Sequence, residues 1–238
     1  MKFDPHAGRV VASASADGTV IVSSCYIPEV DRDSNGLFGN FKETEPTILF
    51  KFKMGGWANT LSFSPSGEAL MFSSKFSHIL CDPFAIAHDS IMHYYEIGKE
   101  HVYPPTRPEK GQKFSTNGSP ILCGTFISEN AYIGSGWDKS PILFKKDAKG
   151  EWAFVKYLDQ GIKNVRPSAI GNNAFGGKTV FFDGMSLQND VEVTDKETKH
   201  VNLINCQKRH SGAPDKVETI VTSDVNGYLH TWKVGDLC

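Results

Sequence analysis

An all-β fold assembled from repeated hairpins is what this sequence predicts, and three observations carry it. Short apolar runs are separated by small polar turn residues, as where Val10-Val11-Ala12 leads through Ala16-Asp17-Gly18-Thr19 to Val20-Ile21-Val22. The same phrase recurs at intervals of about 60 residues. No long amphipathic stretch alternates with the strands, which argues against a parallel α/β layout.

The first hairpin spans residues 10–23 and follows Phe3-Asp4-Pro5 and Gly8, where proline presets a turn and glycine releases it. A lone hairpin is marginal in water and needs further strands to cover its apolar face. Only residues 1–9 precede it, so the chain reads as starting inside a repeat, with that hairpin's outer partners missing. The second copy, Ala69 to Asp82, follows Phe63-Ser64-Pro65 and Gly67 at an offset of 59 residues, and the alignment puts Phe76 at its tip. The third begins 62 residues further on. It sets Phe126 in a strand, Ser128-Glu129-Asn130 in a turn, and Trp137-Asp138-Lys139-Ser140 between two apolar runs. The fourth, Val217 to Val234, turns at Asn226-Gly227, a strong hairpin signal because both residues tolerate positive φ, and closes on Trp232.

A unit of several short strands repeated in this way reads as a β-propeller blade with long connections, and the whole chain, 1–238, as one partial propeller of about four blades. The excess length is expected in loops: Pro28 to Pro46, Tyr103 to Gly118, and an insertion before the last blade, Val165 to Lys199. Almost no helix is expected. Asp17, Asp138 and Asn226 occupy the hairpin-tip position where WD-type repeats carry an aspartate that accepts hydrogen bonds within the blade, and they read as structural turn positions. Phe76 marks a repeat that has lost it, and the Gly-His dipeptide of such repeats is absent throughout.

Composition narrows the function. With 39% hydrophobic and 11% aromatic residues, 238 residues are enough for a real core. The net charge of −2 gives no electrostatic case for nucleic acid or an anionic membrane as main partner. There is no apolar run of membrane-spanning length and no signal-peptide pattern, so the chain is read as cytoplasmic. Five scattered cysteines, Cys25, Cys81, Cys123, Cys206 and Cys238, contain no CxxC pair and fit reduced thiols rather than a zinc site or disulfide frame.

Motifs that suggest chemistry are weak. Gly171 to Thr179 resembles a phosphate-binding loop, but its first glycine falls one place off, and neither a preceding strand nor a following helix frames it. A nucleotide-binding or hydrolytic propeller using residues 171–179 is the alternative function. His88, His93 and His101 lack convergent ligand spacing and read as exposed or core-edge residues; no metal or cofactor is expected. No nucleophile elbow or paired carboxylates stand out, so the chain reads as non-enzymatic. The insertion is the most suggestive segment. Phe175, Phe181, Phe182, Met185 and Leu187 lie there among glycines, asparagines and acids, and such side chains on an accessible loop suit partner docking. A return of Val180-Phe181-Phe182 onto the propeller as an extra strand is the competing reading.

Several phrases resemble the WD-repeat subunit 1 family of the actin-related protein 2/3 complex. They are Cys25-Tyr26-Ile27-Pro28-Glu29-Val30, Trp57 with Leu61 to Gly67, and Gly124-Thr125-Phe126-Ile127 running on to Asp138 through Phe144. Thr198 to Asn202 and Asn226 to Trp232 match more weakly. The likeness covers nearly the whole chain except the insertion and corresponds to the C-terminal part of the family, whose members carry seven blades. It implies a scaffold that holds actin-related proteins and other complex subunits against the actin filament, at the cytoskeleton, with no bond made or broken. In that family an insertion in this region projects toward actin-related or actin subunits, but the residues here do not match, so no individual contact carries over.

Overall fold

The computed structural model describes residues 1–3, 10–25, 27, 48–54, 56–79, 86–96, 111–116, 120–159 and 198–238. Among them run the strands β1 (Lys2–Phe3), β2 (Val10–Ala14), β3 (Thr19–Ser24), β4 (Ile48–Lys53), β5 (Trp57–Phe63), β6 (Ala69–Ile79), β7 (Ile86–Glu96) and β8 (Gly111–Ser115). Then follow β9 (Ile121–Ser128), β10 (Ala131–Gly136), β11 (Ile142–Lys146), β12 (Trp152–Tyr157), β13 (Ile204–Ala213), β14 (Lys216–Asp224) and β15 (Leu229–Lys233). A single 3-10 turn, Gly235–Leu237, is the helical element among the described residues.

The strands form four antiparallel meanders: β1-β2-β3-β4, β5-β6-β7-β8, β9-β10-β11-β12 and β13-β14-β15. The first strand of each sheet touches the first strand of the next, β1 on β5, β5 on β9 and β9 on β13. The sheets therefore stand like blades around an axis lined by their first strands, and among the described residues they do not close into a ring.

Among the described residues, three apolar cores lie between successive blades. Val20, Val22, Phe50 and Phe52 of the first blade meet Leu61, Leu70, Phe72 and Tyr95 of the second. Met71, Met92 and Tyr94 on the second blade's other side meet Ile121, Tyr132, Phe144 and Trp152. Ile127, Ile133 and Leu143 then meet Val217, Ile220 and Trp232 of the fourth. Side chains of a strand point alternately to the two faces, so a blade with neighbours on both sides is apolar on both. This is why all of β10 is buried and why neighbours in sequence serve different cores, Tyr132 one and Ile133 the next.

Several sequence expectations are corrected. The first hairpin does not lack partners: Lys2 and Phe3 pair with Ala12 and Val11, and β4 pairs along β3 from Thr19↔Lys53 to Ser23↔Ile48. The second hairpin does not turn near Phe76. β6 runs unbroken through it, with Phe76 opposite Asp89, and returns as β7. Ser73-Ser74-Lys75-Phe76-Ser77 contains none of the Gly, Pro, Asn or Asp that break a strand, so tertiary pairing carries the extended conformation through. Phe76 is thus no lost tip, and the polar-aromatic stretch with His88 and His93 is the return strand itself. Within the loop expected from Tyr103 to Gly118, residues 111–115 form the outer strand β8.

Two glycines show what close packing requires. A Cβ on Gly124 would lie 2.2 Å from the Tyr132 hydroxyl and 2.8 Å from the Ile133 carbonyl oxygen, whereas Gly150, at φ +85°, has nothing within 4 Å. Gly124→Ala is expected to cost about 1–3 kcal/mol through overpacking. Gly150→Ala is expected to cost only about 1 kcal/mol, through the unfavourable φ. Chemical denaturation of the two variants checks the order, and equal losses would contradict this account of the seam.

Candidate functional site: a buried polar chain and the blade seams

The described residues converge on no catalytic cluster, and among them no group of three or more His, Cys, Asp and Glu side chains is placed to hold a metal. The strongest polar constellation is a chain through the last blade. Thr222 and Asp224 on β14, Trp232 on β15 and His200 ahead of β13 are all buried. The Trp232 Nε1–H donates to Thr222 Oγ1 at 2.7 Å, Thr222 Oγ1 lies 2.6 Å from His200 Nε2, and His200 Nδ1 lies 3.1 Å from Asp224 Oδ2. A carboxylate only accepts and an indole only donates, which sets the direction. His200 donates from Nδ1 and accepts at Nε2 from the Thr222 hydroxyl. Asp224 Oδ1 meanwhile accepts the N–H of Asn226 and Tyr228, both at 3.0 Å, fixing the turn.

Two neighbours complete the arrangement. The His230 ring sits edge-on to His200 with centroids 4.6 Å apart, and the Lys199 ammonium lies 4.4 Å from the Trp232 ring centroid. Burial lowers the His200 pKa, against the raising effect of the Asp224 hydrogen bond, and so favours the neutral imidazole. Burial pushes the Asp224 carboxyl up, but hydrogen bonds from His200 and from the N–H groups of Tyr228 and Asn226 outweigh it, and the net shift is down.

The seams carry a second set of polar ties. Across the second and third blades, Ser73 Oγ donates to the Ile121 carbonyl at 2.9 Å and the hydroxyls of Thr60 and Tyr132 lie 3.4 Å apart. Further out, Gln112 grips the backbone of Trp152, donating to its carbonyl at 2.9 Å and accepting its N–H at 2.6 Å. Lys146 Nζ donates to the Tyr94 hydroxyl at 3.0 Å, and the Ser66 N–H reaches the Glu129 carboxylate. Across the third and fourth blades, Ser135 Oγ donates to Gln207 Oε1 at 2.6 Å and Gln207 Nε2 donates to the Ile133 carbonyl at 3.0 Å. The buried Tyr132 phenol is pushed up by desolvation, as is the Cys123 thiol, to about 12, which leaves that cysteine protonated.

The sequence-derived sites fall into two groups. Asp17 stands in the β2–β3 turn with Oδ1 accepting the Thr19 N–H at 2.8 Å, and that bond heads the causes that lower its pKa. Asp138 stands buried in the β10–β11 turn. Asn226 stands in the β14–β15 turn, where its side chain accepts from Asn202 Nδ2 at 3.2 Å, while the carboxylate that organises the turn is Asp224. Phe175, Phe181, Phe182, Met185 and Leu187, and residues 171–179, lie outside the described residues. His93, read as exposed or core-edge, is buried on β7, with Nε2 2.8 Å from Ser74 Oγ and its ring stacked on Phe72. Sequence reasoning passed over His200, Thr222 and Asp224. Their signal was a Thr-Ser-Asp step ahead of the Asn-Gly turn, a histidine upstream and a tryptophan just beyond; without a Gly-His pair, Lys199-His200 did not register.

Four antiparallel sheets around a common axis, unclosed among the described residues, make the fold a partial β-propeller. Over 98% of its length the chain is similar to actin-related protein 2/3 complex subunit 1 of Schizosaccharomyces pombe, 24% identical over 244 residues and covering 60% of that protein. Subunit 1A-B of Xenopus laevis is 25% identical over 236 residues, covering 98% of this chain and 57% of the relative; subunit 1A of Arabidopsis thaliana is 26% identical over 240 residues, covering 96% and 56%. The chain thus spans somewhat under two thirds of the curated relatives it matches. No family model matches it. Among solved structures, the WD40 β-propeller domain of Doa1 aligns at a TM-score of 0.47 and 14% identity, covering 95% of this chain and 49% of that one.

Because His200 is held below its ordinary value of 6.5, its contribution to stability is fully present above that pH and is lost as pH falls below it. Wild-type melting temperature is expected to drop between about pH 7 and 5, and His200→Asn to be less stable but flatter over that window. Thr222→Val strands both a buried indole N–H and a buried imidazole nitrogen, so it is expected to cost more than Trp232→Phe, by about 1–3 kcal/mol. Thermal unfolding against pH checks both expectations.

Proposed function

We propose that this chain acts as a non-enzymatic scaffold, the WD-repeat subunit of an actin-related protein 2/3 complex that supports nucleation and branching of actin filaments. The observation that carries the reading is the extent of the similarity to subunit 1, which runs along 96–100% of the chain in proteins from Schizosaccharomyces pombe, Xenopus laevis and Arabidopsis thaliana. The polar chemistry of the described residues agrees with it: the perturbed groups His200, Asp224 and Tyr132 are engaged in packing the blades. The work of such a scaffold is positional. Its partners are the actin-related proteins, the other subunits of the complex and the actin filament, and its place is the cytoplasm, at the cytoskeleton. Affinity-tagged chain expressed in its own cells is expected to co-purify with actin-related proteins in near-stoichiometric amounts, and their absence from the eluate would overturn the assignment.

Within this proposal, the insertion supplies a docking element through Phe175, Phe181, Phe182, Met185 and Leu187, on the strength of their sequence alone. Replacing Phe181, Phe182 and Met185 with Ala is expected to weaken assembly while leaving the β-sheet circular dichroism and melting temperature unchanged. A lowered melting temperature with assembly intact would instead make them core residues, since burying a large apolar side chain contributes about 1.5–3 kcal/mol.

A further inference from the structure

The last hairpin turns on a reactive pair. Asn226 and Gly227 stand exposed at the tip between β14 and β15, with Gly227 at φ +87° and nothing within 4 Å of where a Cβ would stand. An asparagine followed by glycine carries its own electrophile and nucleophile. The side-chain amide carbon and the next backbone nitrogen are one five-membered ring apart, and glycine puts no Cβ in the way of their approach. The Asn226 Oδ1 accepts from Asn202 Nδ2 at 3.2 Å, which draws electron density away from that amide carbon.

The fold leaves the electrophile exposed and restrains the nucleophile. The Gly227 N–H donates to the Asp224 carbonyl at 3.1 Å, which aims its nitrogen into the turn. Asp224 Oδ1 clasps the same turn by accepting the N–H of Asn226 and of Tyr228, both at 3.0 Å, and Asp224 Oδ2 is itself held by His200. Attack requires the Gly227 bond to break, and a hairpin tip opens locally without unfolding the sheet behind it.

We propose that Asn226 is a site of intramolecular deamidation, with water as the co-reactant, and that the Asp224 clasp sets its rate. In the open turn the Gly227 nitrogen gives its proton to hydroxide and bonds to the Asn226 side-chain carbon; the bond from that carbon to Nδ2 breaks, and ammonia leaves with a proton from water. Water then opens the cyclic imide. Cleavage on the side-chain side leaves aspartate at 226, which keeps both the length of the turn and an acceptor for Asn202. Cleavage on the main-chain side leaves isoaspartate, whose backbone runs through the side chain and is one methylene longer. That product draws the Tyr228 N–H off Asp224 Oδ1 and loosens the carboxylate on which the His200 chain is anchored.

The test incubates the full chain at mildly alkaline pH, folded and in urea, and follows aspartate and isoaspartate at 226 by chromatography and mass spectrometry of its peptides. Asn35-Gly36 and Asn117-Gly118, outside the described residues, supply the intrinsic rate in urea. Both products are expected at 226 in the folded chain, formed about tenfold more slowly than in urea. That slowing is expected to match, within about threefold, the protection of the Gly227 amide from hydrogen exchange measured by NMR, because one opening exposes the same nitrogen to both reactions. Asp224→Ala is expected to speed conversion in the folded chain and leave the rate in urea unchanged. No product in the folded chain once the chain in urea has converted fully, equal rates in the two, an Asp224→Ala rate unchanged in the folded state, or a slowing unrelated to Gly227 exchange would each overturn the proposal. If Asp224→Ala loses its cooperative melting transition, the wild-type comparison of conversion with exchange decides.

Discussion

The structure depends on one constraint: a blade is a sheet with two faces, and a face that is apolar does not hold without a neighbour. In a meander of four short strands, alternate side chains point to opposite sides, and water must be excluded from each apolar side. The third blade shows this most fully. β10 is buried along its whole length, Tyr132 and Phe144 packing to one side while Ile133 and Leu143 pack to the other. Stability therefore resides in the seams as much as in the strands.

The polar ties have their place in this scheme. Apolar packing is non-directional and would tolerate sliding of one blade on the next. Bonds such as Ser135–Gln207–Ile133 and Gln112–Trp152 set the register, because buried donors and acceptors are costly to leave unpaired. The His200 chain does within the last blade what these do between blades. It fastens the segment before β13 to the turn and to both remaining strands, in a blade that has no fourth strand among the described residues.

The outward faces of the two end blades differ from the seams. On the first, Val11 and Ile21 stand half-buried beside Ser13 and Ser23; on the last, Thr219, Val221 and Ser223 do the same. These faces mix β-branched apolar groups with hydroxyls, a surface able to meet either water or another protein.

Much of this was legible in the residues. Hairpins at Asp17-Gly18, Trp137-Asp138 and Asn226-Gly227 announced themselves because turn chemistry is local: a residue that tolerates the turn's backbone, or a side chain that caps it, works within a few positions. The repeat spacing gave the all-β class for the same reason. What stayed hidden was long-range. Nothing near Phe76 says that β6 continues to Ile79, because the partner that keeps it extended is β7, and nothing around Gly111–Ser115 marks a strand apart from its pairing with β7. His200 looked like one histidine among eight. By itself the sequence determined local turns, strand periodicity and the number of repeats, because each follows from neighbours along the chain. Only tertiary structure decided which strands are outer, which face each apolar residue serves and which histidine is buried, because those depend on residues brought together from distant parts of the chain.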